Sequence, residues 1–117
     1  MNVVYLDNNA TTMVAPEVVQ AMLPYFSQMY GNASSMHTFG GQVGRAISTA
    51  REQVAALLGA RPDEIIFTSC GTESDATAIL SALRTQPDKR HVITTRVEHS
   101  AILSLGQHLE SRGYEVT

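Results

Sequence analysis

The residues with the clearest chemical potential form one short segment, Ser69-Cys70-Gly71-Thr72-Glu73-Ser74, called here the 69–74 turn. It follows an apolar run and precedes a helical repeat. A helix N-terminus presents N–H groups without intrahelical partners and the positive end of the helix dipole. Small residues let an anion approach these groups, and the hydroxyls add donors. The turn therefore predicts an anion site. The alternative is an ordinary capped loop, in which Glu73 and Asp75 simply suit a first helical turn.

Two further side chains near this turn could do chemistry. Cys70 precedes a predicted helix, where a thiol can have a lowered pKa and act as a nucleophile. Alternatively, Cys70 is a small residue that fills space. His99 follows the apolar stretch 91–95, and ligands in open α/β sheets bind at the carboxyl edge of the strands. We therefore expect His99 beside the 69–74 turn, unless it is a helix-start residue that faces water.

The remaining histidines give weaker signals. His37 lies in a loop rich in glycine and serine, which is a slight indication of function. His91 and His108 are predicted to be solvated. The 69–74 turn matches neither a Walker phosphate loop nor the GxGxxG dinucleotide pattern.

The elements that must position these residues can be predicted from hydrophobic spacing. Apolar residues repeat at helical spacing from Val18, after Pro16, and Pro24 should kink or end that helix. Alternating strands and helices later in the chain indicate βαβ units and a parallel sheet covered by helices on both faces. The predicted elements are a loop at 31–41, helices at 43–58 (closed by Gly59), 72–83 and 102–109 (closed near Gly113), and strands at 64–68, 91–95 and 114–117. The fold class is α/β, and two strands with the start of a third predict an incomplete domain.

Composition sets outer limits on function. The chain has 117 residues, of which 44% are hydrophobic and 16% charged, with a net charge of −3. This charge, without a basic stretch, argues against nucleic acid as a partner. Apolar runs are too short for a membrane span, and no secretory signal is expected at the N-terminus. A single cysteine excludes an internal disulfide and fits the cytoplasm.

Four segments together resemble one enzyme family. They are YLDNNATT (5–12), GNASSMHTFG (31–40), FTSCGTESD (67–75) and VEHSAIL (97–103). In this order they are similar to the cysteine desulfurases, above all the NifS-like branch, which are pyridoxal-phosphate enzymes of the class V aminotransferase fold. The resemblance implies that residues 1–117 form the N-terminal segment and the start of the cofactor-binding large domain, without a complete domain boundary.

The resemblance also implies a reaction and a site. Members of the family remove sulfur from L-cysteine, leaving L-alanine and an enzyme-bound persulfide for iron–sulfur cluster assembly, in nitrogen fixation for the NifS-like branch. They are homodimers that pass sulfur to a scaffold protein. Carried onto this sequence, Gly71 and Thr72 match the positions that bind the cofactor phosphate. His99 matches the histidine that stacks on the cofactor ring and assists proton transfer. No metal ligand is assigned.

Two residues depart from the family pattern. Lys89 is the chain's one lysine, and it lies in a polar turn that should face away from the ligand edge. A lysine that binds the cofactor needs a buried site beside it. The family's lysine and its nucleophilic cysteine both come later than residue 117. Cys70 is therefore expected to fill space, and the chain by itself is expected to be inactive.

Other interpretations remain open. A selenocysteine lyase or an aminotransferase would share the fold. A non-catalytic chain that binds a dimer partner is the third possibility, and a stable isolated fold would favour it. Such stability is not expected, because the helix faces at 43–58 and 76–83 have little sheet to cover them.

Overall fold

The computed structural model describes residues 3–117 and divides the chain into two compact units, Met1–Ile65 and Ile66–Thr117. The first unit is helical, and the second combines helices with a small parallel sheet. The α/β fold class predicted from the sequence is confirmed.

The first unit begins with two short helices that proline residues define. Helix α1 spans Pro16–Met22 and helix α2 spans Pro24–Ser27. Each starts with proline, whose fixed φ suits the first turn and whose missing N–H costs nothing there. Pro24 therefore separates the two helices, as the sequence predicts.

Helix α3, Thr38–Leu58, begins earlier than expected. The glycine-rich loop predicted for 31–41 is wrong in its last four residues, which are helical. The His37 imidazole caps the helix, because its Nδ1 accepts from the Gly40 N–H at 3.1 Å. Gly40 is buried, and a Cβ there would overlap the carbonyl oxygen of Asn32. This glycine permits close packing, whereas its composition context predicted a loop.

The C-terminal end of α3 agrees with the prediction. Gly59 adopts a left-handed conformation, with φ of 66°, and its N–H bonds back into the helix. A 3-10 turn, Pro62–Glu64, follows. The Glu64 carboxylate accepts from the Arg61 N–H at 2.8 Å, and the Arg51 guanidinium donates to the Ile65 carbonyl. These bonds close the first unit.

The second unit is one βαβ arrangement preceded by a helix. Helix α4 spans Gly71–Thr85, strand β1 His91–Val92, helix α5 Ser100–Ser111 and strand β2 Glu115–Val116. The strands are parallel, with His91 opposite Glu115. Outside the paired residues, the Thr94 N–H donates to the Thr117 carbonyl at 2.8 Å. The parallel pairing and the places of the two later strands are thus confirmed, but each strand has two residues, shorter than the predicted 91–95 and 114–117.

The strand predicted at 64–68 is absent from the described residues. Glu64 ends the 3-10 turn, and 65–68 belong to no strand. Ile65 has extended angles (φ −94°, ψ 126°), so the local preference is met. A strand also needs a neighbour with which to exchange hydrogen bonds, and in residues 3–117 only β1 and β2 form such a pair.

The buried apolar core is small. Among the described hydrophobic residues only Val43, Ala55 and Leu109 are buried, whereas Leu57 at the end of α3 is 84% exposed. This exposure agrees with the expectation that the helix faces would lack cover. No helix in the described range is long and apolar enough to cross a bilayer.

Candidate functional site: the N-terminal ends of helices α4 and α5

The predicted anion site lies at the start of α4. Cys70 is the N-cap residue and is extended (φ −165°, ψ 170°), while Gly71 and Thr72 are the first two helical residues. All three are exposed. A Cβ built on Gly71 would meet no atom within 4 Å, so the space above this backbone is open. The turn therefore has room for a ligand against its amides.

The Cys70 thiol shows that these amides favour negative charge. Its pKa lies below the ordinary value, mainly because of the nearby backbone N–H of Glu73, with further lowering by the Ser69 hydroxyl and the Thr72 N–H. The nearby Glu73 carboxylate opposes this shift, but its effect is the smallest of those involved. Partial positive charge at a helix N-terminus is the physical reason. Donors that stabilise a thiolate suit a phosphate oxygen as well.

Cys70 is exposed, so among the described residues it does not fill space. The space-filling interpretation made from the sequence is wrong in this structure. Its Sγ lies 3.7 Å from the Ser69 hydroxyl. In the described part of the chain no group of three histidine, cysteine or acidic side chains could bind a metal ion. Cys70 is thus a thiol beside an anion-favouring turn, without metal partners.

His99 is the N-cap residue of α5, and its side chain is exposed. Its Nδ1 accepts from the Ala101 N–H at 3.2 Å. A nitrogen that accepts has no proton, so the neutral imidazole carries its proton at Nε2. The cap therefore fixes the tautomer and leaves Nε2–H available to a ligand.

The predicted residues lie at the N-terminal ends of helices α4 and α5. The two helices pack together, and their C-terminal ends line one groove, with Leu83 and Arg84 from α4 and Leu109 and Arg112 from α5. The helices consequently run side by side in the same direction. Their N-terminal ends, which carry the 69–74 turn and His99, are the ends away from this groove. That His99 lies beside the turn stays a prediction. No hydrogen bond joins His99 to the turn within the described residues.

Lys89 lies at the other edge. Its N–H closes a turn onto the Gln86 carbonyl at 3.0 Å, directly after α4 ends. The next residue, Arg90, lines the groove at the C-terminal ends of the helices and lies over the Tyr114 ring at 4.3 Å. Lys89 therefore follows the C-terminal end of α4, whereas the 69–74 turn lies at its start. That the turn marks the ligand edge stays a prediction.

The other histidines have structural contacts. His37 caps α3 and lies in the first unit, so its glycine-rich setting reflects helix capping. His91 contacts the Thr117 hydroxyl at 2.9 Å and is exposed, and His108 is exposed on α5. The last two agree with the prediction of solvated side chains.

Sequence reasoning missed the part that Glu73 plays in the turn. Its Oε2 accepts from the Ser69 N–H at 2.6 Å and from the Ser69 hydroxyl at 2.7 Å. The pKa of the Glu73 carboxyl is lowered, first by the N–H bond and then by the hydroxyl bond. In a capping box the glutamate reaches back three residues, and here it reaches back four. The Ser-x-x-x-Glu spacing is the signal that could have shown this.

Comparison with known proteins decides the family. The class-V aminotransferase profile matches residues 4–117. The chain belongs to the class-V aminotransferase family. It is 66% identical over 117 residues to a cysteine desulfurase of Trichormus azollae, and 64% identical over 114 residues to the cysteine desulfurase NifS of Azotobacter vinelandii. These matches cover 100% and 97% of this chain but only 29% and 28% of those proteins.

A solved structure of a NifS-like protein superimposes on this class-V chain with a TM-score of 0.86 and 40% identity. The match covers 94% of this chain and 30% of that one. The resemblance found in the sequence motifs is therefore confirmed at the level of family and fold. The chain spans less than a third of the length of these relatives, so their complete activity does not transfer to it directly.

Proposed function

We propose that this chain is the cofactor-phosphate-binding part of a pyridoxal-phosphate-dependent cysteine desulfurase. The whole enzyme would remove sulfur from L-cysteine, give L-alanine and hold the sulfur as a persulfide for iron–sulfur cluster assembly. The names of the relatives support this reaction, and NifS among them favours a role in nitrogen fixation. A cytoplasmic homodimer that passes sulfur to a scaffold protein is part of the proposal.

The observation that supports it most is the open, anion-favouring start of α4. The cofactor's phosphate would accept hydrogen bonds from the N–H groups of Gly71 and Thr72 and from the Thr72 hydroxyl. Gly71 has free space above it, and the lowered pKa of Cys70 reports the local preference for negative charge. These features fit a phosphate dianion, whose binding at helix N-termini has the same physical basis.

His99 would act on the cofactor ring from the neighbouring helix. Its capped Nδ1 fixes the ring plane, and Nε2 holds a proton that it can share with a group at the site. The bound cofactor would supply the electron sink that the reaction requires. Within this chain, the 69–74 turn would bind the cofactor phosphate, and His99 would orient the cofactor ring and transfer a proton.

Residues 1–117 alone are proposed to be inactive. Lys89 lies at the edge opposite the turn and is exposed, so it cannot reach a cofactor bound there. Cys70 belongs to the turn that would bind phosphate, which assigns it no mobile sulfur-transfer role. The proposed Schiff-base lysine and nucleophilic cysteine belong to a longer chain. Purified 1–117 mixed with L-cysteine and cofactor should release no sulfide above the free-cofactor background.

The phosphate assignment can be tested in the full-length protein by binding. Thr72→Ala removes one hydroxyl donor, and a hydrogen bond to a charged group contributes about 1.5–3 kcal/mol, or roughly ten- to hundredfold in affinity. We expect that loss for pyridoxal phosphate and none for pyridoxal, which lacks the phosphate. Thr77→Ala, on an exposed position of the same helix, is the matched control. Equal affinity of wild type for the two ligands would refute the assignment.

A further inference from the structure

The Glu73 carboxylate is the strongest side-chain anchor of the 69–74 turn. One oxygen, Oε2, accepts both the backbone N–H and the hydroxyl of Ser69, at 2.6 and 2.7 Å. The N–H bond is shorter than is usual for a charge-assisted hydrogen bond, and the hydroxyl bond falls within the usual range. All of these atoms are at an exposed surface, so burial does not hold the turn in place. The turn must be fixed by these bonds.

A second pair of side chains closes the turn from its other side. The Thr68 hydroxyl donates to the Cys70 carbonyl at 3.2 Å, and it lies 2.5 Å from the Ser74 hydroxyl. When the single Thr68 proton goes to the carbonyl, Ser74 is the donor in the other pair; either hydroxyl can donate there. The first turn of α4 thus holds residues 68 and 69 through two adjacent side chains, Glu73 and Ser74.

The negative charge of Glu73 needs an explanation at a site that would bind a phosphate. A carboxylate near a dianion is repelled. The Ser69 donors satisfy one Glu73 oxygen twice, and the carboxylate has less effect on the Cys70 thiol than the helix amides have. Glu73 therefore keeps its two hydrogen bonds to Ser69, while its negative charge has a smaller effect at the turn than the backbone N–H groups have.

We propose that Glu73 is a positioning residue that acts through Ser69, holding the 69–74 turn so that the N–H groups of Gly71 and Thr72 face the phosphate. This inference rests on the proposed function, because the phosphate of pyridoxal phosphate is the ligand it serves. The hydrogen bonds to Ser69 hold the turn, and the negative charge of Glu73 is not needed for this. Glutamine at position 73 should therefore support phosphate binding, whereas alanine should not.

Binding to the full-length protein separates these roles. Glu73→Ala should lower the affinity for pyridoxal phosphate by about tenfold, the value of one hydrogen bond to a charged group, and leave pyridoxal binding unchanged. Glu73→Gln keeps an acceptor for Ser69 and should bind pyridoxal phosphate as tightly as wild type or more tightly. Asp75→Ala changes an acid two residues further on that has no hydrogen bond among the described contacts, and should behave like wild type.

A second readout does not need the cofactor. The pH dependence of Cys70 alkylation gives the pKa of the thiol, which the backbone N–H groups of Glu73 and Thr72 in the same turn lower. Both Glu73→Ala and Glu73→Gln remove the carboxylate charge, which by itself lowers the thiol pKa. The difference in thiol pKa between the two variants therefore reports how well the turn is held in position. We expect the thiol pKa of Glu73→Ala to exceed that of Glu73→Gln.

Three results would overturn the inference about Glu73. These are equal phosphate affinity in Glu73→Ala and wild type, a parallel loss of pyridoxal binding, or a Glu73→Gln variant as weak as Glu73→Ala. Should wild type itself fail to prefer pyridoxal phosphate to pyridoxal, the phosphate assignment fails, and the inference fails with it. If wild type prefers pyridoxal phosphate to pyridoxal and Glu73→Ala keeps the same preference, only the inference about Glu73 is contradicted.

Discussion

Replacing Gly40 by alanine should destabilise the first unit, although alanine is the better helix former. An ideal Cβ at Gly40 would overlap the Asn32 carbonyl oxygen and lie 2.7 Å from the Ser35 Cβ. Such overpacking costs about 1–3 kcal/mol. The backbone shift that relieves it would weaken the bond from the Gly40 N–H to His37, a cap worth about 1 kcal/mol. Against this, alanine gains about 0.5–1 kcal/mol in helix propensity.

The net expectation for Gly40→Ala is a loss of roughly 2 kcal/mol in the free energy of unfolding. Thermal or urea unfolding followed by far-UV circular dichroism measures it. Gly41→Ala is the matched control, because its Cβ would meet only the tip of the Arg45 side chain at 4.0 Å. That variant should be at least as stable as wild type. Gly44→Ala should be intermediate, with its Cβ 3.2 Å from the Ala33 carbonyl oxygen.

The series is informative because the helix propensity gain is shared. If Gly40→Ala unfolds together with Gly41→Ala, the close approach of α3 to the 32–35 segment is wrong. An order in which Gly44→Ala is the least stable would place the tight contact one turn later than the structure does.

Three further outcomes are expected. Leu109→Ala, at 3% exposure, should lose about 2–5 kcal/mol of stability by urea unfolding, and Leu103→Ala on the exposed side of the same helix much less; equal losses would contradict the position of the core. The Cys70 thiol should be alkylated at a lower pH than a free cysteine peptide, because the Glu73 N–H holds its pKa down; an identical profile would argue against the turn geometry. The pKa of the Glu73 carboxyl is lowered in the folded state, so its bonds to Ser69 stabilise the fold at pH values above the unfolded-state pKa. This stabilisation is lost as the pH falls through the folded-state pKa. The free energy of unfolding of Glu73→Gln, measured against pH, should therefore change less in that range than that of wild type.

Local signals in the sequence predicted most of the elements. The Pro24 break between α1 and α2, the Gly59 end of α3 and the parallel pairing of β1 with β2 each follow from chemistry within a few residues or from one repeated pattern. The strand at 64–68 was not predicted correctly, because pairing depends on partners far away in the chain. The early start of α3 was missed because Gly40 indicates a loop by composition, whereas its role is close packing.

The candidate site was predicted in the same uneven way. An anion site at the 69–74 turn and a place for His99 near it were predicted from the ends of predicted strands, whereas the roles of Gly71, Thr72 and His99 came from the family resemblance. Their roles toward a cofactor stay predictions. The Glu73–Ser69 bonds could not be predicted from charge alone, since an acid in a first helical turn is favourable whether or not it bonds to the preceding loop.

Because Cys70 is the single cysteine within residues 1–117 and is exposed, a maleimide fluorophore or spin label would attach to this segment at that position without any mutagenesis. A spectroscopist thus has a native attachment point next to Gly71 and Thr72. Quenching or a change in probe mobility on adding pyridoxal phosphate would report occupancy in real time, in extracts as well as in purified samples.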